Sequence, residues 1–309
     1  MKIRIESMEG VGDCIYQRPF IKQLIKDGHE VYLSVYLHEL FSDIKGLKFL
    51  KPAKEHTYRT QQKQFDSQKS IKYDTPPPKF DKVIDPLYSG TDLIHDSIVY
   101  SMSLKFGVDN LSNLEWNLPN LSHHLTKHES ILKSIPFGFK KIAIVRPSTI
   151  RSEWKVSTRS PDPTYIYWCA HVLHEAGYYV ISIADVDGSN EWIEGPAPFA
   201  DLTLHSGDLG IFGTLELLKT ADVVIGGSGF IVPATVSAKV PLFILFGGRG
   251  AYDSPYKIFH PSMNLKKIGW AVPRNFCRCT LAEHACDKSI PDLDDKFMNF
   301  LRQIQYENI

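Results

Sequence analysis

Short apolar runs that end in glycine turns constrain this sequence more than any other feature. Ala143-Ile144-Val145 and Val223-Val224-Ile225 lack the polar alternate of a half-exposed strand, as expected of parallel strands covered on both faces. Gly226-Gly227-Ser228-Gly229 follows one such run and Gly247-Gly248-Arg249-Gly250 the next, while Gly10-Val11-Gly12-Asp13 follows an alternating run near the start. Between these runs the apolar spacing switches to the helical period. Strands are expected at 2–7, 30–35, 82–85, 141–146, 179–184, 222–226 and 241–246, and helices at 15–25, 92–106, 162–176, 214–220, 231–238 and 292–305. That alternation predicts an α/β chain with parallel sheets.

At about 100–200 residues per domain, the 309 residues suggest two domains. Pro119, the polar run 122–130 and Ile135-Pro136-Phe137-Gly138 separate the halves, so the expected domains are 1–135 and 136–309. Two Rossmann-like halves with glycine turns at the carboxyl ends of their strands would face a central cleft suited to small anions. The segment 48–82 differs from the rest. Nine Lys or Arg face four acids there, a local charge of +5, and Pro76-Pro77-Pro78 closes it. It reads as a long polar, basic insert.

Several function classes are disfavoured at once. Lys plus Arg and Asp plus Glu both number 35, so no global field favours nucleic acid or an anionic membrane. No stretch approaches the roughly 18 apolar residues of a transmembrane span, and MKIRIESMEG does not read as a leader. Five cysteines make a poor disulfide scaffold at this length, and a cytoplasmic location is the expectation. Gly10-Val11-Gly12-Asp13-Cys14-Ile15 lacks the third glycine of a dinucleotide fingerprint, and no phosphate-loop lysine or G-x-S-x-G elbow follows a strand.

Chemistry can be placed at three positions. Asp13, beside Gly12 and near a helix N-terminus, is either a simple cap or a general base kept ionised by the helix dipole. The loop after 141–146 carries Arg146, Ser148, Arg151 and Lys155 within ten residues, a set suited to phosphate as well as to a solvated surface loop. Gly227, Ser228 and Gly229 free backbone N–H groups at the next helix terminus, and Arg249 adds a charge after the neighbouring strand. Cys277, Cys279 and Cys286, with His284 among them, could ligate a metal, but Cys-x-Cys is tighter than the usual structural zinc spacing. Packed, idle thiols are the preferred reading, with no metal site expected.

Glu9-Gly10-Val11-Gly12-Asp13 with Pro19 resembles the amino-terminal element of the family 9 glycosyltransferases, the lipopolysaccharide heptosyltransferase group. The run from Thr214 to Gly229, continuing through Ala234, Ala238, Lys239, Val240 and Pro241 to Gly247, resembles their second signature, and Arg151 with Trp154 and Lys155 resembles their basic loop. The resemblance implies a GT-B fold, with an acceptor-binding first domain and a nucleotide-sugar-binding second domain. The last helix, about 292–305, would pack back on the first domain. It also implies inverting transfer to an acceptor hydroxyl on a glycan or related molecule, with no divalent metal and no other cofactor. Asp13 would be the base, with Arg151 or Lys155 on the leaving diphosphate.

One carboxylate with several phosphate donors suits transfer better than glycoside hydrolysis, which needs two carboxylates. Other readings stay open: a transferase acting on modified DNA bases through the 48–82 insert, a GT-B-like sugar-nucleotide epimerase or hydrolase, and a catalytically inactive nucleotide-sugar-binding protein. Nucleic acid is the less favoured partner.

Overall fold

A computed structural model describes residues 1–52, 72–121, 125–139, 141–153 and 155–306. Most of the basic insert and Trp154 lie outside the described residues. The chain divides into two compact α/β units, Met1–Asn120 with Phe259–Met263, and Leu121–Ile258 with Asn264–Ile309. The division falls earlier than the expected 135/136 boundary. The helix Leu125–Ser134 packs on the helix Gly210–Leu218 of the second unit, and the buried Glu216 carboxylate accepts the Leu121 N–H at 2.8 Å.

The first unit is built on a four-stranded sheet of β1 (Lys2–Glu6), β2 (Glu30–Ser34), β3 (Lys48–Leu50) and β4 (Lys82–Ile84) in the order β3-β2-β1-β4, every pair parallel. β1 is central, and Ile3 and Ile5 are buried on it. The helix Val11–Lys26 begins at the first glycine turn and runs through Pro19. Phe20 of that helix stacks on Phe106 with centroids 5.1 Å apart. The single helix expected over 92–106 is two, Gly90–His95 and Ile98–Phe106. The Ser97 hydroxyl accepts the Tyr100 N–H and starts the second afresh. β3 opens the segment expected to be a polar loop, because Phe49 and Leu50 give it an edge to pair with β2.

In the second unit a six-stranded sheet runs β12-β11-β10-β5-β7-β9, parallel throughout. Its strands are β5 (Lys141–Arg146), β7 (Tyr178–Ile183), β9 (Leu202–Leu204), β10 (Val223–Gly227), β11 (Leu242–Leu245) and β12 (Ile268–Ala271). β6 (Thr149–Arg151) and β8 (Glu191–Ile193) form a separate antiparallel ribbon. The central β5, β10 and β11 are the uninterrupted apolar runs of the sequence, and the helices Pro163–Glu175 and Ile231–Ala238 cover them. The last helix, Leu293–Tyr306, was expected to pack on the first domain. Instead Phe297, Phe300, Leu301 and Ile304 join the core of their own unit, against β12 and Phe243. Among the described residues no helix is long and apolar enough to cross a membrane.

Candidate functional site

At the carboxyl ends of β5, β10 and β11 the second unit gathers charged side chains. Arg146 ends β5. Its Nη2 donates to Thr149 Oγ1 at 3.2 Å and lies 3.8 Å from Glu191 Oε1, and the guanidinium sits 5.2 Å over the Phe230 ring. Burial pulls its pKa down to about 10 against the opposing pull of Glu191, with Arg151 and Arg159 adding to the depression. Arg146 is therefore a desolvated cation, still charged at neutral pH, whose environment would be eased by a further anion. Arg151 faces Glu191 across the β6–β8 ribbon and reaches its Oε2 at 2.7 Å.

Ser228 lies in the turn between β10 and the helix Ile231–Ala238. Arg159 Nε donates to its Oγ at 3.1 Å and lies 3.2 Å from Asp253 Oδ1; the Ser228 hydroxyl in turn donates to Asp253 Oδ1 at 3.3 Å. Gly227 ends β10, and Gly229 follows Ser228 beneath the Arg159 side chain. The Arg249 guanidinium stacks 4.8 Å over Tyr252, with its Nε buried and without a hydrogen-bond partner, as is the Ser148 Oγ. Lys155 is exposed on the surface. Arg146, Ser228 and Arg159 thus converge at the strand ends. Arg151 is engaged by Glu191, and Lys155 makes no described contact there.

Sequence reasoning missed Arg159, Glu191 and Asp253. Arg159 stands in the short turn Ser157–Arg159, outside any glycine motif, and it acquires its role through tertiary contact. The weak signal available was Pro161, two residues on, which marks a rigid connection ahead of the helix Pro163–Glu175.

Asp13 occupies the first turn of the Val11–Lys26 helix in the first unit. A Cβ at Gly10 would stand 2.4 Å from Asp13 Oδ2, so only glycine there lets the carboxylate fold back over the helix start. The Tyr88 hydroxyl donates to Asp13 Oδ1 at 2.7 Å. Gly12 adjoins it in the same turn. Tyr88, a lone aromatic beyond the basic insert, carried no sequence signal for this contact.

Cys277, Cys279, His284 and Cys286 bring one ligand atom each to within 4.8 Å of one another. The Cys279 and Cys286 sulfurs are 3.6 Å apart, His284 Nδ1 lies 3.1 Å from the Cys286 sulfur, and Cys277 lies 3.8 Å from His284. Four ligands around one ion at ~2.3 Å metal–sulfur distance would stand about 3.8 Å apart. The spacing and the Cys3His donor set fit a tetrahedral iron or zinc site. A backbone hydrogen bond from Cys279 holds the Cys277 thiol below its usual range, while burial and the neighbouring thiols push Cys286 up to about 12. A cation would relieve that conflict.

No family model matches the chain, and no curated protein matches it. Solved structures do. A family 9 glycosyl transferase from Veillonella parvula superposes with a TM-score of 0.60 at 11% identity, over 99% of this chain and 97% of that one. The Escherichia coli ADP-heptose lipopolysaccharide heptosyltransferase II gives 0.57 at 10%, with both chains covered in full. The iron-containing dodecameric glycosyltransferase TibC from enterotoxigenic E. coli gives 0.58 at 14%, over 100% of this chain and 77% of that one.

The two α/β units with parallel sheets are a GT-B architecture. The fold is that of family 9, heptosyltransferase-like glycosyltransferases, shared at low sequence identity. The expectation of no metal and no metal site is overturned. The thiols read as idle form, with His284, a cluster able to coordinate an ion, and TibC, which shares the fold, contains iron. The tight Cys-x-Cys spacing misled because the ligands are set by a long loop rather than by a zinc ribbon.

Proposed function

We propose that the protein is an inverting glycosyltransferase that moves a sugar from a nucleotide-diphosphate-sugar to an acceptor hydroxyl on a glycan or related molecule. The observation that carries this reading is the convergence of Arg146, Arg159 and Ser228 at the strand ends of the six-stranded sheet. Cationic groups and fixed donors in a partly desolvated place suit a departing diphosphate. Arg249 and Ser148, each with an unsatisfied buried polar atom, complete the binding set. The coordinates of TibC with ADP-D-beta-D-heptose, 14% identical to this chain, make that nucleotide sugar the first donor to try.

Asp13 acts as the general base in this reading. Its carboxylate takes the proton of the acceptor hydroxyl as the oxygen bonds to the anomeric carbon. The bond from that carbon to the diphosphate oxygen breaks, and its electron pair leaves with the nucleoside diphosphate. The Tyr88 hydroxyl, which donates to Asp13 Oδ1, orients the carboxylate. Arg146 and Arg159 take up the charge that develops on the leaving phosphate. Cys277, Cys279, His284 and Cys286 would hold a metal ion, which would supply a cross-link through four protein ligands.

A screen of nucleotide sugars with a mixture of glycan acceptors tests the proposal. One donor should release its nucleoside diphosphate only when acceptor is present, and the product should carry the inverted anomeric configuration by proton NMR. Release of sugar to water at the same rate without acceptor would instead mark a hydrolase. Retention of configuration would remove Asp13 from the role of base.

A further inference from the structure

The loop that bears the cysteine cluster also contacts the segments that carry Arg159 and Arg249. Between β12 and the helix Leu293–Tyr306 no residue from 274 to 289 is buried. A connection of this length with no core of its own needs an internal cross-link to keep one shape. Its contacts run to two short segments. Thr158, fully buried, donates its hydroxyl to Leu281 O at 2.8 Å and to Ala282 O at 3.1 Å, and its N–H to Ala282 O at 3.3 Å. Lys288 Nζ donates to Ser157 O at 3.0 Å. On the other side Gly250 N donates to Cys277 O at 2.8 Å, and Arg249 pairs with Arg278 in an antiparallel bridge.

These segments are tied to each other as well. Thr158 O accepts the N–H groups of Gly248 at 2.7 Å and Arg249 at 3.1 Å. The cluster packs directly on this junction: a Cβ at Gly248 would stand 2.2 Å from the Cys286 Cβ, and the Cys279 sulfur lies 3.6 Å from Gly248 O. Thr158 is followed by Arg159, and Gly248 by Arg249. The ligand loop, the Thr158 carbonyl and the two arginines therefore form one continuous chain of contacts.

The geometry points to a positioning role for the cluster: the metal-bound loop braces Thr158 and Gly248 so that Arg159 and Arg249 are presented to an anionic diphosphate, and metal loading sets the affinity of that site. This rests on the reading of the strand-end site as a phosphate site. Because linkage is reciprocal, a diphosphate should tighten the hold on the metal by the same factor that the metal tightens the diphosphate.

Inorganic pyrophosphate serves as the probe, measured by calorimetry on metal-replete and chelator-stripped full-length protein, with circular dichroism on each sample. Stripping should weaken pyrophosphate binding about tenfold or more, within the usual span of site coupling, and adding the metal back should restore it. Thr158→Val removes the hydroxyl bonds to the loop without touching a ligand. It should weaken pyrophosphate binding while the cobalt-substituted protein keeps its thiolate-to-cobalt absorption, and this variant decides the matter if stripping unfolds the unit. Pyrophosphate should also slow the loss of cobalt to a chelator. Unchanged pyrophosphate affinity in the folded stripped protein, or in Thr158→Val, overturns the coupling while leaving the phosphate site intact. Absence of pyrophosphate binding by the replete wild type overturns the phosphate site and the coupling together.

Discussion

Asp13 and Arg159 carry the two halves of the proposed chemistry, one taking a proton and the other holding the leaving group. Asp13 sits in a first helical turn, where the dipole favours the carboxylate. Asp13→Asn should lower turnover by roughly 10²–10⁴-fold with nucleotide-sugar affinity unchanged, read from single-turnover rates beside a binding titration. More than half of wild-type turnover would exclude it as the base. At this scale the sequence was legible where glycines marked it. Gly10 and the turn through Ser228 pointed to Asp13 and to the ends of β10, since backbone that must pass close to something leaves a compositional trace. Glu191, Asp253 and Tyr88 left none, and Arg159 only the nearby Pro161. Each gains its partner over a span of at least 25 residues or from a turn without a motif. Arg151 and Lys155 show the converse: a dense basic loop in the sequence, of which the ribbon pairs one side chain with Glu191 and leaves the other exposed.

At the scale of elements, the strands β5, β10 and β11 were readable because burial on both faces removes polar alternates. β9, β12 and the β6–β8 ribbon were not, since three or four residues give too short a period to count. The cysteine-bearing loop was misjudged for a related reason: with no regular structure, its ligand geometry depends on what it packs against. Gly248 is the contact that decides it. Gly248→Ala would drive a methyl group into Cys286, whose Cβ lies 2.2 Å from the position the new atom would take. Reduced metal content by elemental analysis of the folded variant is the expected result, because the displaced sulfur is one of four ligands. Full metal occupancy in Gly248→Ala would show that Cys286 is not held against this glycine.

At the scale of the molecule, the two α/β units have unequal parts in the account. Asp13 lies in the first, while Arg146, Arg159 and the cluster of Cys277, Cys279, His284 and Cys286 all lie in the second. Two α/β halves with parallel sheets were foreseeable from the repeated strand, glycine turn and helix pattern, and the resemblance to the family 9 glycosyltransferases implied the GT-B architecture. The division near residue 120 was not, because the helix Leu125–Ser134 reads as a polar connection until its packing on the helix Gly210–Leu218 is known. Diphosphate binding at the strand ends of the second unit underlies the proposed function. It is tested most directly by titrating the metal-replete protein with a nucleoside and with its diphosphate, in the wild type and in Arg159→Ala. Charge-assisted hydrogen bonds of about 1.5–3 kcal/mol each predict that the wild type prefers the diphosphate by at least tenfold, and that most of this preference disappears in Arg159→Ala. Equal affinity for nucleoside and diphosphate in the wild type, or an undiminished preference in Arg159→Ala, would contradict the account.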